Sequence, residues 1–314
     1  MAPSSSRSLA LDPIPSVRGL HQLISERRLA AILSQTGRGP GRHRRLPADS
    51  VIWLVIAMAL FAADPIPKVW RRLHPGRDEP EPTESASARA RRRLGVAPLR
   101  HLSPRVARPM AIHQTRGVTH AGWNLMGIDG ATLDLPDTPT NARAFGRPGG
   151  GRAAGAFPQV RLLALGELGT HAVCGLAIKP PRHGGPSMVG QLLDQLGPGL
   201  LLIWDRGSFG HELVRSIHSS GAHLMARVQC NSRPGPLRRL DYGSYTARLY
   251  PSPADRRRDV SGLMVRVIES AHDDPNRPGA GRRHRLIADV LNPADLPACE
   301  APVIYLTNRG GSRR

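Results

Sequence analysis

Apolar positions along this chain change their spacing near residue 125. Before that point they recur every three or four residues. Val17, Leu20, Leu23, Ile24 and Leu29 predict one helix. The run V-I-W-L-V-I-A-M-A-L-F-A-A over 51–63 predicts a second, entered after Leu46-Pro47 with Ala48, Asp49 and Ser50 in its first turn. Val69, Trp70 and Leu73 share one side of a third, over 66–73, with Arg71 and Arg72 beside them. Beyond residue 125 the apolar runs are short and β-like, at 125–135, 160–167, 171–178, 200–204 and 222–228. Helical spacing returns at 187–196 and 209–219. After Asn231 only short β-like pieces follow, at 243–250, 262–270 and 283–290, separated by turns rich in Pro, Asp, Gly and Arg.

This pattern divides the chain. Residues 1–16, rich in Ser and Pro, read as a loose arm. Residues 17–74 form a helical domain, and 75–87 (P-G-R-D-E-P-E-P-T-E-S-A-S) a proline-bearing linker. Residues 88–314 form an α/β domain with a β-rich insertion at about 232–290. The glycine-rich stretch 147–155 is not a phosphate cradle of the G-x-x-x-x-G-K-[ST] kind, because no Lys-Ser/Thr pair follows it.

Charge adds a partner. Forty-four Lys and Arg against 24 Asp and Glu give +20 and a pI near 11.5, which favours a polyanion and nucleic acid first. All but Lys68 and Lys179 of the basic residues are arginine, a usage that a GC-rich genome would also produce. The densest run is Arg89, Arg91, Arg92 and Arg93, read as a nucleic-acid patch on a helix in preference to a solvated face. Arg71 and Arg72 are the matching candidates in the helical domain. Three scattered cysteines, Cys174, Cys230 and Cys299, lack metal spacing and suit a reducing cytoplasm. The longest apolar run is too short to span a bilayer, and the start lacks the apolar core of a signal peptide.

Two acids stand out chemically. Asp205 follows five apolar residues, L-L-L-I-W, at the end of a buried strand. Active sites of open α/β sheets are built at such ends, although an aspartate there can equally cap the next helix. Asp129 lies between Gly127 and Gly130 in another apolar strand, as an inward-facing acid. A buried carboxylate needs a partner or a cation, so a second such acid suggests a shared metal site.

The ordered string Gly127-Ile128-Asp129-Gly130, Leu133-Asp134-Leu135-Pro136-Asp137-Thr138, Asn141, Ala144-Phe145-Gly146 and Trp204-Asp205-Arg206-Gly207 resembles the bacterial insertion-sequence transposases of the DDE type. More closely, it is similar to the group named after insertion sequence four, over about residues 45–300. The resemblance implies an RNase H-like mixed-sheet catalytic core, with Asp129 and Asp205 as the first two metal-binding members of an Asp-Asp-Glu triad. It implies a helical N-terminal domain that binds the element's ends, a β-rich insertion before the Glu, and Mg²⁺ or Mn²⁺ as cofactor. The expected partners are the terminal inverted repeats and target DNA, with a homodimer on DNA.

In that family the Glu follows a motif of Tyr, two residues, Arg, three residues, Glu. With Tyr305 as the Tyr, the Arg position falls on Asn308 and the Glu position on Ser312. Glu300 precedes the Tyr and matches a non-catalytic position. The tail from Val303 reads as lacking the family's acidic, aromatic helix, so a C-terminally truncated copy without the third acid is expected. Two alternatives follow: a catalytically inactive remnant that occupies element ends and inhibits an intact transposase, or a same-fold nuclease that recruits Asp134 or Asp137.

Overall fold

The computed structural model describes residues 23–39, 46–74, 80–112, 115–148, 155–180, 188–204, 210–228, 234–271 and 283–309. The arm at 1–16, most of the glycine-rich stretch, Asp205 and Ser312 lie outside them. The chain divides into two compact units, residues 1–106 and 107–314.

The first unit is helical. α1 (Glu26–Gln35) starts on Ser25, whose hydroxyl accepts the Arg28 N–H, with Glu26 in the positive first turn. α2 (Ala48–Leu60) follows Pro47 and buries Val51, Ile52, Leu54 and Ala57. α3 (Ile66–Leu73) buries Val69 and Trp70. α4 (Glu84–Leu94) is capped by Thr83, which accepts the Ala86 N–H at 3.2 Å, and ends at Gly95, whose φ of 72° suits glycine. α5 (Ala97–Val106) completes the unit by burying Pro98 and Leu102. These faces meet in one apolar cluster that includes Ile32, Leu54, Phe61, Trp70 and Leu94.

Two expectations change here. The segment assigned as a linker to residue 87 is already helical from Glu84, because Thr83 and Glu84 supply a start signal inside it. The arginine run on α4 therefore belongs to the helical unit, and the division falls after Val106.

The second unit is built on one mixed sheet. In chain order the strands are β1 (Thr119–His120), β2 (Trp123–Asp134), β3 (Gln159–Glu167), β4 (Val173–Lys179), β5 (Leu200–Trp204), β6 (His223–Arg227), β7 (Pro236–Leu240), β8 (Ser244–Leu249), β9 (Leu263–Ala271) and β10 (Arg283–Ala288). Across the sheet they run β4-β3-β2-β5-β6-β10-β9-β8-β7, and β1 pairs with β2. The β2–β5 and β5–β6 pairs are parallel, and all the others are antiparallel. The β-rich insertion is thus continuous with the sheet.

Each face carries its own cluster. Met126, Ile128, Leu202 and Trp204 point to one, which also holds Leu213, Val214 and Ile217 of α7 (His211–Ser219). Leu125, Leu201 and Ile203 point to the other, shared with Ala301 and Tyr305 of α9 (Glu300–Arg309). Two short helices lie on connections: α6 (Pro139–Phe145), capped by Thr138, and α8 (Pro253–Arg258), capped by Ser252. The helix expected over 187–196 is interrupted. Residues 188–189 are helical, a turn follows at Gly190, and Leu193–Gln195 forms a 3₁₀ turn. The tail enters α9, whose residues from Val303 on hold one aromatic, Tyr305, and no acid.

Candidate active site

β2 is the longest strand, and its length creates the site. It pairs in parallel with β5 from Asn124 opposite Leu200 to Ile128 opposite Trp204. Beyond Ile128 its remaining residues pair, among the described residues, with β3 alone, Asp129 opposite Ala164 and Asp134 opposite Gln159. Asp129 is the first residue past the β5 pairing, and it is exposed. This corrects the inward-facing placement read from its apolar neighbours.

Strand alternation fixes the acid's face. Asp129 projects on the side of Leu125, the side that carries α9 and Tyr305. One carboxylate oxygen accepts the Gly130 N–H at 2.8 Å. On the same face, Gly127 leaves room for Leu168. A Cβ at residue 127 would stand 2.6 Å from the Leu168 Cδ2. An exposed carboxylate at the rim of a sheet is a hard oxygen donor of the kind Mg²⁺ accepts. Among the described residues no group of three or more His, Cys, Asp or Glu is arranged to hold a metal.

The acids offered by the nuclease alternative sit elsewhere. Asp134 is five residues along β2 from Asp129, about 16 Å at strand rise, and on the opposite face. It accepts a hydrogen bond from Gln159 Nε2 at 2.8 Å. Asp137 is ion-paired with Arg147. Glu300, at the start of α9, stands 3.6 Å from His120 Nδ1.

Three buried polar groups were not singled out in the sequence. The Glu167 carboxylate accepts the N–H groups of Met110 and Ala111 at 3.1 and 2.9 Å, and the Thr170 hydroxyl. Burial, with Glu167 nearby, pushes the Cys174 thiol pKa up and makes it a poor nucleophile. The Asp289 carboxylate accepts the Leu224 N–H at 2.8 Å and lies 3.1 Å from His218 Nδ1. Arg266 is fully buried on β9. It donates to Ser244 Oγ from Nε and Nη2 at 3.2 and 3.0 Å, and from Nη1 to the Leu296 carbonyl at 2.6 Å. All three sit inside apolar sequence at strand ends or in strand interiors, where only the partner's position in space reveals their role.

The candidate arginines of the helical unit differ in freedom. Arg71 pairs with Glu81 at 2.8 Å. Arg72 pairs with Asp64 at 2.9 Å and lies over the Phe61 ring. Arg93 donates to the Leu46 carbonyl at 2.9 Å, and Arg91 reaches the Met58 sulfur. Arg89 and Arg92 are exposed. No described helix is long and apolar enough to cross a membrane.

Comparison with known proteins agrees with this division. Residues 15–103, nearly the whole helical unit, match the family described as Insertion element 4 transposase N-terminal. The chain is 28% identical over 236 residues to the transposase InsG for insertion sequence element IS4 of Escherichia coli K12. That match takes in 73% of this chain and 53% of the relative. It is 26% identical over 218 residues to the putative transposase InsZ of the same organism, covering 68% of this chain and 71% of the relative. The chain thus spans about half the length of the first relative. A piggyBac transposase in a synaptic complex with hairpin DNA aligns over 90% of this chain and 56% of its own, at 12% identity and a TM-score of 0.34, too low to carry an argument about the fold.

The chain is thus similar to transposases of bacterial insertion sequences. Its N-terminal family match and the first of these relatives are both of the insertion-element-4 type.

Proposed function

We propose that the helical unit binds the ends of the element and that the sheet unit is an RNase H-like core for metal-dependent DNA cleavage and strand transfer. Asp129 and Asp205 are its metal-binding carboxylates. The observation that carries this reading is the register of β2 against β5. Ile128 stands level with Trp204, so the next residue of each chain segment is an aspartate, Asp129 and Asp205. The strand order β4-β3-β2-β5-β6, with β2, β5 and β6 parallel and β3 antiparallel to β2, supports an RNase H-like core.

Bound Mg²⁺ or Mn²⁺ would activate a water or a DNA 3′-hydroxyl and neutralise the leaving oxygen. The protein's part is to offer the Asp129 carboxylate at an exposed rim of the sheet that a phosphodiester can reach. Tyr305 is buried against the face from which Asp129 projects, so α9 is the helix positioned to bring a third group to the same side. At the expected position of that group the sequence has Ser312. This favours, as a second reading, a chain that binds element ends and does not cleave them. A homodimer on paired ends is the assembly proposed for either reading.

The test is Mg²⁺- or Mn²⁺-dependent nicking of a duplex carrying the element's own ends. Six proteins are compared: the chain itself, Asp129→Asn, Asp205→Asn, Ser312→Glu, and Ser312→Glu combined with each Asn change. Cleavage gained in Ser312→Glu and lost when either Asn change is added supports the catalytic reading. Cleavage that survives both Asn changes excludes these two acids as metal ligands.

A further inference from the structure

The insertion carries a set of arginines that the site described above does not use. β7 is the outermost strand of the sheet, and Pro236, Leu237, Arg238 and Arg239 are all exposed. The short helix α8 ends on Arg256, Arg257 and Arg258, also exposed. The two pieces adjoin. The Arg256 guanidinium lies 3.6 Å from where a Cβ on Gly235 would stand, one residue before β7. Pro234 is itself held by the Tyr245 hydroxyl, which donates to its carbonyl at 3.4 Å.

Local acids do not neutralise this group. Asp259 is taken by Arg248 and Tyr250, and the Arg248 hydrogen bond, followed by that of Tyr250, holds its carboxyl below the usual range. Asp255 accepts from the Ser252 hydroxyl within the cap of α8. Among the described residues none of the five arginines has a carboxylate within ion-pair distance. In the helical unit, by contrast, Arg71 and Arg72 are already paired.

We infer that Arg238, Arg239, Arg256, Arg257 and Arg258 form a ridge that grips duplex DNA through its phosphates, independently of sequence, and so holds the DNA outside the element's ends. The inference rests on the proposed DNA-cleaving role and assigns a surface and a DNA class to it. Arg238 and Arg239 are successive residues of the edge strand and so flank its two sides, where they can straddle one sugar-phosphate backbone. Guanidinium groups on an extended strand and a six-residue helix suit backbone contact. Neither piece offers a long helix to enter a major groove and read bases.

The experiment measures affinity of the full chain for a scrambled duplex of about 25 bp, lacking element ends, from 50 to 200 mM NaCl. The variant carries Arg238→Gln, Arg239→Gln, Arg256→Gln, Arg257→Gln and Arg258→Gln. A charge-matched control on the same unit carries Arg108→Gln, Arg116→Gln, Arg143→Gln, Lys179→Gln and Arg215→Gln. Each lost phosphate contact lowers the slope of log affinity against log salt by about 0.9. The ridge variant is expected to lose about 3–4 units of slope and at least about tenfold in affinity at 100 mM salt, with the control losing less than one unit. An unchanged slope, or an equal loss in the control, overturns the inference. So does loss of binding to single-stranded RNA with duplex binding intact. Asp129→Asn is expected to leave the slope unchanged, so failure of the ridge and failure of the catalytic reading are seen separately.

Discussion

Arg266 offers the sharpest quantitative test of how the sheet unit holds together. Its guanidinium is wholly enclosed and is satisfied by neutral acceptors, Ser244 Oγ on β8 and the Leu296 carbonyl on the segment entering α9. Burial alone lowers its pKa. Truncation in Arg266→Ala removes a side chain longer than methionine from a fully buried position, and cavities of that origin cost about 2–5 kcal/mol. It also orphans the Leu296 carbonyl, at about 1–3 kcal/mol. Release of a desolvated charge offsets part of this, leaving about 3–5 kcal/mol of lost stability. Arg266→Met refills most of the volume and removes the charge, and is expected within about 1.5 kcal/mol of the parent. Denaturant-dependent hydrogen exchange, read on peptides from β9 and from 289–299, reports on this unit without the helical one. A lowered guanidinium pKa is a cost carried wherever the unfolded chain is protonated, so the difference should be flat from pH 6 to 9. A loss below about 1 kcal/mol in Arg266→Ala, or equal damage in Arg266→Met, would refute the reasoning.

Three further outcomes are expected. The Lys68 hydrogen bond, followed by burial that opposes it and by the Arg72 charge that adds to it, leaves the Asp64 pKa lowered. The stability from Asp64 is therefore present above its unfolded pKa of about 3.9 and is lost as pH falls through the folded value; Asp64→Asn should flatten the acid limb of the helical unit's melting temperature, and an unaltered limb would argue against the pairing. Gly169→Ala should destabilise by about 1–3 kcal/mol, since its Cβ would meet the Arg116 carbonyl and the Val118 nitrogen at 2.9 Å, backbone that cannot rotate aside. Gly127→Ala meets only the tip of Leu168 and should cost less; thermal melts that rank the two the other way would contradict the packing described for the face beside Asp129.

Much of the core was legible because burial on both faces leaves a plain signal. β5 was read to the residue from five apolar positions followed by a charge. β3, β4, β6, β8 and β9 were found to within two residues at either end. β7 escaped because an outermost strand exposed on both sides has no alternation to show. α5 escaped because it carries two prolines; Pro98 sits in the first turn, where proline is tolerated, but Pro104 lies inside the helix, where it removes a backbone hydrogen bond. α6 and α8 did carry a hydroxyl cap followed by proline, but are too short for a period to register. Asp129 was read from its apolar neighbours as inward-facing, and the structure exposes it.

The way β10 returns to lie beside β6 has a further consequence. Five strands in the order β4-β3-β2-β5-β6 would end on β6, whose apolar Leu224, Met225 and Ala226 would then border a row of unpaired N–H and C=O groups. Such a border templates pairing with other chains. The insertion closes it, and hands the margin to β7, which bears arginines and a proline in place of an apolar run. The insertion thus acts as a guard against aggregation. A version trimmed from 232 to 290 is expected to lose solubility.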